Sequence, residues 1–172
     1  MRAETSGKDG KIMGLMPIHP IGLIRTPFSR LEGMPIQPPG AKGAVGQVEV
    51  FEEYREGLRD LDGFSHLILL YWFHRGNGFD LVVKPFLDSE YRGLFSTRAP
   101  KRPNPIGLSV VKLDRIQEGV LHVRDVDILN GTPLLDIKPY VPAFEPPEKV
   151  RVGWLGGAGP KVAGRKSDDR FK

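Results

Sequence analysis

Apolar and polar residues alternate over Ile18-His19-Pro20-Ile21-Gly22-Leu23-Ile24-Arg25 and again over Gly46-Gln47-Val48-Glu49-Val50-Phe51. A period of two puts successive side chains on opposite faces of a strand, so both stretches predict strands with one buried face. Leu67 to Phe73 is a continuous apolar run rich in aromatics, and it predicts a strand buried on both faces. Shorter strand candidates are Leu81–Val83, Leu108–Leu113, Val120–Val123, Val126–Leu129 and Leu134–Ile137, with Val150–Trp154 expected to close the sheet. Glu52–Leu58 reads as one short helix, stopped near Gly57 and by Asp62-Gly63. No sustained 3.6-residue pattern is present elsewhere. The 21 glycines and 16 prolines are spread along the chain, as short strands joined by turns require. The predicted fold is mainly β: a compact, non-Rossmann β-barrel with one or two short helices.

A length of 172 residues suits one domain with a real core. The patterned region spans 15–155, and 1–14 and 156–172 are expected to be flexible tails, the second basic. With no cysteine, disulfides, thiolate metal sites and a Cys nucleophile are excluded. Met1 to Leu15 has no apolar h-region, and Leu67 to Phe73 is too short to span a bilayer. These features predict a cytoplasmic protein with no membrane association. The net charge of +4 is unevenly placed: Glu49 to Asp62 is acidic, whereas Lys84 to Arg102 is basic.

Several common chemistries lack their signatures. Gly40 to Gly46 has no Gly-Lys-Ser/Thr ending, so it is not a phosphate loop. Gly156-Gly157-Ala158-Gly159 runs into Pro160 instead of a helix, against a dinucleotide site. His19, His66, His74 and His122 have no metal-ligand spacing, and no metal is expected. A Gly-x-Ser-x-Gly nucleophile elbow is absent.

Four polar motifs remain, all at loops or strand ends. The most informative is Gly93-Leu94-Phe95-Ser96-Thr97-Arg98-Ala99-Pro100-Lys101-Arg102-Pro103-Asn104-Pro105-Ile106-Gly107-Leu108. Its three prolines fix φ and restrict the residues before them, so a loop carrying three cations is stiff. A rigid cationic loop suits an anionic or polar ligand held in one geometry. The others are Met34-Pro35-Ile36-Gln37-Pro38-Pro39, Gly63-Phe64-Ser65-His66 leading to Phe73-His74-Arg75, and Asp127 to Val141 around Asn130-Gly131-Thr132-Pro133. Each has a plain structural reading: a stiff connector, a core histidine at His66, a hairpin turn at Asn130-Gly131. In the last motif Asp136, Lys138 and Tyr140 alternate and therefore share one face of a strand.

Together and in this order the motifs resemble the TsaA/YaeB family, β-barrel S-adenosylmethionine-dependent methyltransferases often named TrmO. The matching stretches are Pro-Ile-Gln-Pro, Gly-Phe-Ser-His-Leu with Phe-His, Phe-Ser-Thr-Arg with Arg-Pro-Asn-Pro-Ile-Gly, and Asn-Gly-Thr-Pro with Asp-Ile-Lys-Pro-Tyr, spanning Ile18 to Val152. The resemblance implies a homodimer that binds S-adenosylmethionine and N6-methylates threonylcarbamoyladenosine beside the tRNA anticodon. It implies cofactor contacts from Ile36, Gln37, Pro38, Phe73, His74, Arg98, Leu108, Leu129, Asn130, Gly131 and Thr132. Many family members carry a basic residue at the position of Ile36, and the longer bacterial members have a further C-terminal domain where this chain has a short tail. A small-molecule acceptor, and a non-catalytic barrel binding RNA or the cofactor, are the alternatives.

Planar guanidinium groups bind carboxylate or phosphate bidentately, so Arg98 or Arg102 is expected on the methionyl carboxylate or an RNA phosphate. Backbone groups near Asn130 and Gly131 are expected to read the adenine edge. The acceptor nitrogen loses a proton during transfer, with Asp136, His74 and Tyr140 as candidates to receive it. Lys101, Arg102, Asn104 and Lys138 are the expected RNA contacts.

Overall fold

In the computed structural model the described residues are 17–144, 150–157 and 164–168. Six strands close into an antiparallel barrel in the order β1-β2-β7-β6-β3-β8. They are β1 (Gly22–Arg25), β2 (Val45–Val50), β3 (His66–Trp72), β6 (Ile106–Gln117), β7 (Val120–Arg124) and β8 (Thr132–Pro139). The remaining two, β4 (Val82–Val83) and β5 (Arg92–Gly93), pair as a small ribbon outside the barrel. All helical segments among the described residues are short 3-10 turns, the longest at Glu52–Leu58, where the short helix was expected.

Alternation governs the core. Ile24, Val48, Leu67, Leu69, Val111, Leu121 and Leu134 are fully buried, one from every barrel strand or two from β3. Each such side chain removed from water contributes about 1.5–3 kcal/mol. β3 corrects the reading of Leu67 to Phe73 as buried on both faces: Leu67, Leu69 and Tyr71 point inward, while Ile68, Leu70 and Trp72 lie half-buried on the outer wall. A barrel strand faces the core on one side only. Glu118 and Gly119, at φ 52° and 82°, make the two-residue turn between β6 and β7.

Two other expected strands do not form. Val126 and Ile128 are buried as the alternation implied, yet Val126–Leu129 pairs with no strand, because Asp125 at φ 63° ends β7 and turns the chain across the barrel end. Val150–Trp154 does not close the sheet; β1 pairs with β8 instead, Ile24 opposite Thr132. Trp154 lies in a 3-10 turn at Gly153–Gly157.

Three connections leave the same end of the barrel: residues 26–44 between β1 and β2, 73–105 between β3 and β6, and 125–131 between β7 and β8. The longest is anchored by its own small core of Val83, Leu94 and Ala99. Its two ends are tied together by the Phe73 N–H, which donates to the Pro105 carbonyl at 2.8 Å. The first connection is braced by residues from the tail region: Ser167 exchanges backbone hydrogen bonds with Gly33 (3.0 Å) and Met34 (2.8 Å), and its hydroxyl donates to the Leu31 carbonyl. Residues 1–14 lie outside the described residues.

Candidate functional site

The three connections enclose a cavity of about 1100 Å³ at that barrel end. Its lining is mostly apolar, from Met34, Phe73, Phe86, Phe95, Ile128 and Trp154, with Arg98 and Asp127 of opposite charge among them. Of the residues expected at a cofactor, Ile36, Gln37, Pro38, Phe73, His74, Arg98, Leu108, Leu129 and Thr132 line it. Asn130 and Gly131 do not. Their backbone N–H groups are already used: Asn130 donates to the Phe28 carbonyl and Gly131 to the Ile24 carbonyl, both at 2.8 Å. The Asn130 side chain accepts from the Thr26 N–H at 3.1 Å. Those two N–H groups are thus committed within the protein; the turn, with Gly131 at φ 77°, sets Leu129 and Thr132 against the cavity.

The rigid loop behaves as its prolines imply. Thr97 and Ser96 side chains donate to the Leu94 and Gly93 carbonyls at 2.7 Å, and Trp154 Nε1 donates to the Ser96 carbonyl at 2.9 Å. Arg98 Nη1 donates to Gln37 Oε1 at 3.0 Å, joining two motifs 61 residues apart. Arg102 turns back on its own loop, donating to the Thr97 and Ala99 carbonyls (3.0 and 3.3 Å) with its guanidinium 5.7 Å from the Phe95 ring centroid. The two arginines thus divide: Arg98 reaches the facing connection, and Arg102 stiffens the loop while lining the cavity. Lys101 is half-buried and Asn104 exposed beside it.

His74 lies two residues beyond the end of β3. Thr132 Oγ1 donates to the Leu129 carbonyl at 2.7 Å and lies 3.4 Å from His74 Nδ1. With its single proton committed, the Thr132 hydroxyl can only accept from Nδ1, which leaves Nε2 as the basic nitrogen. Burial, and then the positive charge of Arg75, lower the His74 pKa, against a hydrogen bond to the Trp72 backbone that raises it. The imidazole is therefore neutral at pH 7.

Asp136, Lys138 and Tyr140 do share a face, as expected, but it is the outer one. Leu134 pairs with Tyr71 and Asp136 with Leu70, so Leu135 is an extra residue that shifts the register. Leu134 points inward, the bulge follows, and Asp136 emerges outside, paired with Lys138 at 2.7 Å. Tyr140 packs edge-on against His66 at the far end of β3. At about 3.3 Å per residue, His66 and Trp72 are roughly 20 Å apart along the strand. Within one chain His74 is thus at the cavity, whereas Asp136, Lys138 and Tyr140 are not.

Under the cavity runs a chain of polar groups that no motif announces: buried Tyr71 and Ser109 lead to part-buried Asp127. Ser109 Oγ donates to Asp127 Oδ1 at 2.6 Å and lies 3.0 Å from Tyr71 Oη. Desolvation pushes the Asp127 carboxyl up to about 6 despite the Ser109 hydrogen bond, and it raises the Tyr71 phenol as well. The signal was present: Ser109 sits at an inward position of an alternating strand, and Asp127 between buried Val126 and Ile128.

The chain matches the family model for the tRNA-methyltransferase O N-terminal domain over residues 23–146. The chain belongs to this family. Among its relatives, a probable S-adenosyl-L-methionine-binding protein of Pyrococcus abyssi is 53% identical over 88% of this chain and 83% of its own length. A human tRNA (adenine(37)-N6)-methyltransferase is 33% identical over 80% of this chain, but the match takes in only 33% of that enzyme. The crystal structure of TrmO from Pseudomonas aeruginosa superposes with a TM-score of 0.68 at 38% identity, over 82% of this chain and 63% of that one.

Proposed function

We propose that this chain is an S-adenosylmethionine-dependent methyltransferase acting on tRNA, with N6 of adenosine-37 bearing a threonylcarbamoyl group as the acceptor. The observation that carries the reading is one cavity gathering Gln37, then Phe73, His74 and Arg98, then Leu129 from three separate connections, with Thr132 at the start of β8, in a tRNA-methyltransferase O barrel. Its volume, about 1100 Å³, lies just above the upper end of the roughly 300–1,000 Å³ usual for a ligand site. The lining also fits S-adenosylmethionine chemically: apolar and aromatic walls for an adenine, and fixed charges of both signs for an amino-acid end.

The bound cofactor supplies an electrophilic methyl group on a sulfonium. The protein supplies position and electrostatics. Arg98, oriented by Gln37, receives the carboxylate. The proline-fixed loop keeps that guanidinium in place, and alignment of this kind lowers a barrier by up to about 7–11 kcal/mol. His74 Nε2, neutral and held by Thr132, takes the proton released from the acceptor nitrogen. Lys101, Arg102 and Asn104, beside the cavity, meet the RNA backbone, and Lys138 with Asp136 and Tyr140 belongs to a separate outer surface. The protein works as a cytoplasmic homodimer; the exposed Phe79, Leu81, Val82 and Tyr91 on and beside the β4–β5 ribbon supply an apolar face for it.

The test is single-turnover transfer of a labelled methyl group to tRNA by wild type and by His74→Ala. Wild type transfers the label and the variant is slower by 10²-fold or more, the usual contribution of a general base. Equal rates would remove His74 from the chemistry. A second reading has one observation in its favour: the Pyrococcus relative of similar length is named for cofactor binding, and the longer human one for methyl transfer. Cofactor binding without transfer to any tRNA would favour it.

A further inference from the structure

One part-buried carboxylate takes no part in the transfer step described above. Asp127 lies in the cavity wall, and among the described residues no Lys, Arg or His forms an ion pair with it. A carboxylate partly withdrawn from water without a cationic partner costs free energy, and such a group persists where something else requires it. The surrounding hydrogen bonds are arranged to keep it an acceptor. Ser109 Oγ–H donates to Oδ1 at 2.6 Å, and the residue's own backbone N–H donates as well. Because the Ser109 proton is committed, the Tyr71 hydroxyl at 3.0 Å donates to Ser109 in turn. Both hydroxyl protons run toward the carboxylate. An ionised carboxylate has about four acceptor positions, so two donors leave capacity for more.

Arg98 attracts Asp127 electrostatically without touching it; its guanidinium is held on Gln37 instead. The cavity wall thus presents one fixed cation and one fixed anion, near enough to interact and kept apart by their separate partners. That is the complement of a zwitterion. Asp168, the other carboxylate on the lining, is exposed and belongs to the tail segment at the rim.

We propose that Asp127 is the counter-charge for the α-ammonium group of the cofactor's amino-acid end, while Arg98 takes the α-carboxylate. The assignment rests on the reading of the cavity as the S-adenosylmethionine site. An ammonium carries three N–H donors and can use the free acceptor positions of Asp127. The sulfonium has no donor, so it leaves them unfilled. Tyr71 and Ser109 are then positioning residues that aim the carboxylate.

The test is calorimetric titration of the whole chain and of Asp127→Asn with S-adenosylmethionine, S-adenosylhomocysteine and 5′-methylthioadenosine, the last lacking the amino-acid end. Both amino-acid-bearing ligands are expected to bind the variant at least tenfold more weakly, and methylthioadenosine equally to both proteins. A measurement on wild type alone covers the case of a misfolded variant. There, S-adenosylhomocysteine without its α-amino group should lose as much affinity as the substitution removes. Unchanged affinities in either experiment would overturn the assignment. A loss confined to S-adenosylmethionine would also overturn it, by placing Asp127 at the sulfonium. If no ligand binds wild type, the cofactor reading itself fails and takes the assignment with it.

Discussion

A carboxylate kept for a ligand should cost stability in the ligand-free chain, and Asp127→Asn measures that cost. Burial pushes the Asp127 carboxyl up to about 6, from 3.8. The groups facing it are Tyr71 from β3, Ser109 from β6 and Arg98 from the rigid loop. The folded chain therefore binds this proton more tightly than the unfolded chain does. Below about pH 4 the group is protonated in both states and costs nothing. As pH rises from there through about 6, the unfolded chain ionises first and stability falls; above that the full penalty is present. At about 1.4 kcal/mol per tenfold change in proton affinity, the penalty is roughly 2–3 kcal/mol. Asparagine keeps the shape and the Ser109 hydrogen bond but carries no charge. The variant should thus melt higher than wild type near pH 7.5, by about 5–10 °C for a chain of this size. Near pH 4 the two should coincide. Thermal unfolding by circular dichroism across that range is the assay. A variant less stable than wild type at pH 7.5, with a parallel pH profile, would refute the claim of an uncompensated, part-buried charge.

Gly107 is needed for the same network, because a Cβ there would lie 2.2 Å from the Tyr71 ring. Gly107→Ala should cost about 1–3 kcal/mol by overpacking and weaken cofactor binding as Tyr71 shifts, both read by melting and calorimetry. Arg98→Lys should bind cofactor nearly as poorly as Arg98→Ala, since a point charge does not replace a planar fork held on Gln37; full affinity in the lysine variant would remove the bidentate role. Leu69→Ala, at a fully buried barrel position, should lose about 2–5 kcal/mol in chemical denaturation with no specific effect on ligand selectivity. Affinity for tRNA should fall steeply as salt is raised, because each phosphate contact releases counterions; a flat salt profile would exclude a phosphate-tracking surface.

The fold and the site were legible to different depths. Alternation at Ile24, Val48 and Leu134 marks inward positions, and each is buried in the barrel. Burial alone does not make a strand, however: Val126 and Ile128 alternate correctly, but Asp125 at positive φ steers them across the barrel end. The uniform apolar run in β3 hid its orientation, since Ile68 and Leu70 look no different in sequence from Leu67 and Leu69. Motif spacing brought Gln37, His74 and Arg98 to one cavity because stiff connections leave the same barrel end. It misplaced Asp136 because the Leu134-Leu135 doublet conceals a bulge, and one extra residue exchanges the faces of everything after it. Asp127 is hidden in the sequence because a carboxylate next to the Asn130-Gly131 turn looks like turn chemistry, and only the fold brings Ser109 and Tyr71 beside it.

The most direct test of the central claim is mass spectrometry of tRNA nucleosides. Unmodified-at-N6 and threonylcarbamoylated tRNA would be incubated with the protein, with and without S-adenosylmethionine. The account predicts one added methyl group on threonylcarbamoyladenosine, dependent on the cofactor and greatly reduced in Arg98→Ala. A complete reaction mixture in which every tRNA nucleoside stays unmethylated, while the protein demonstrably binds the cofactor, would contradict it.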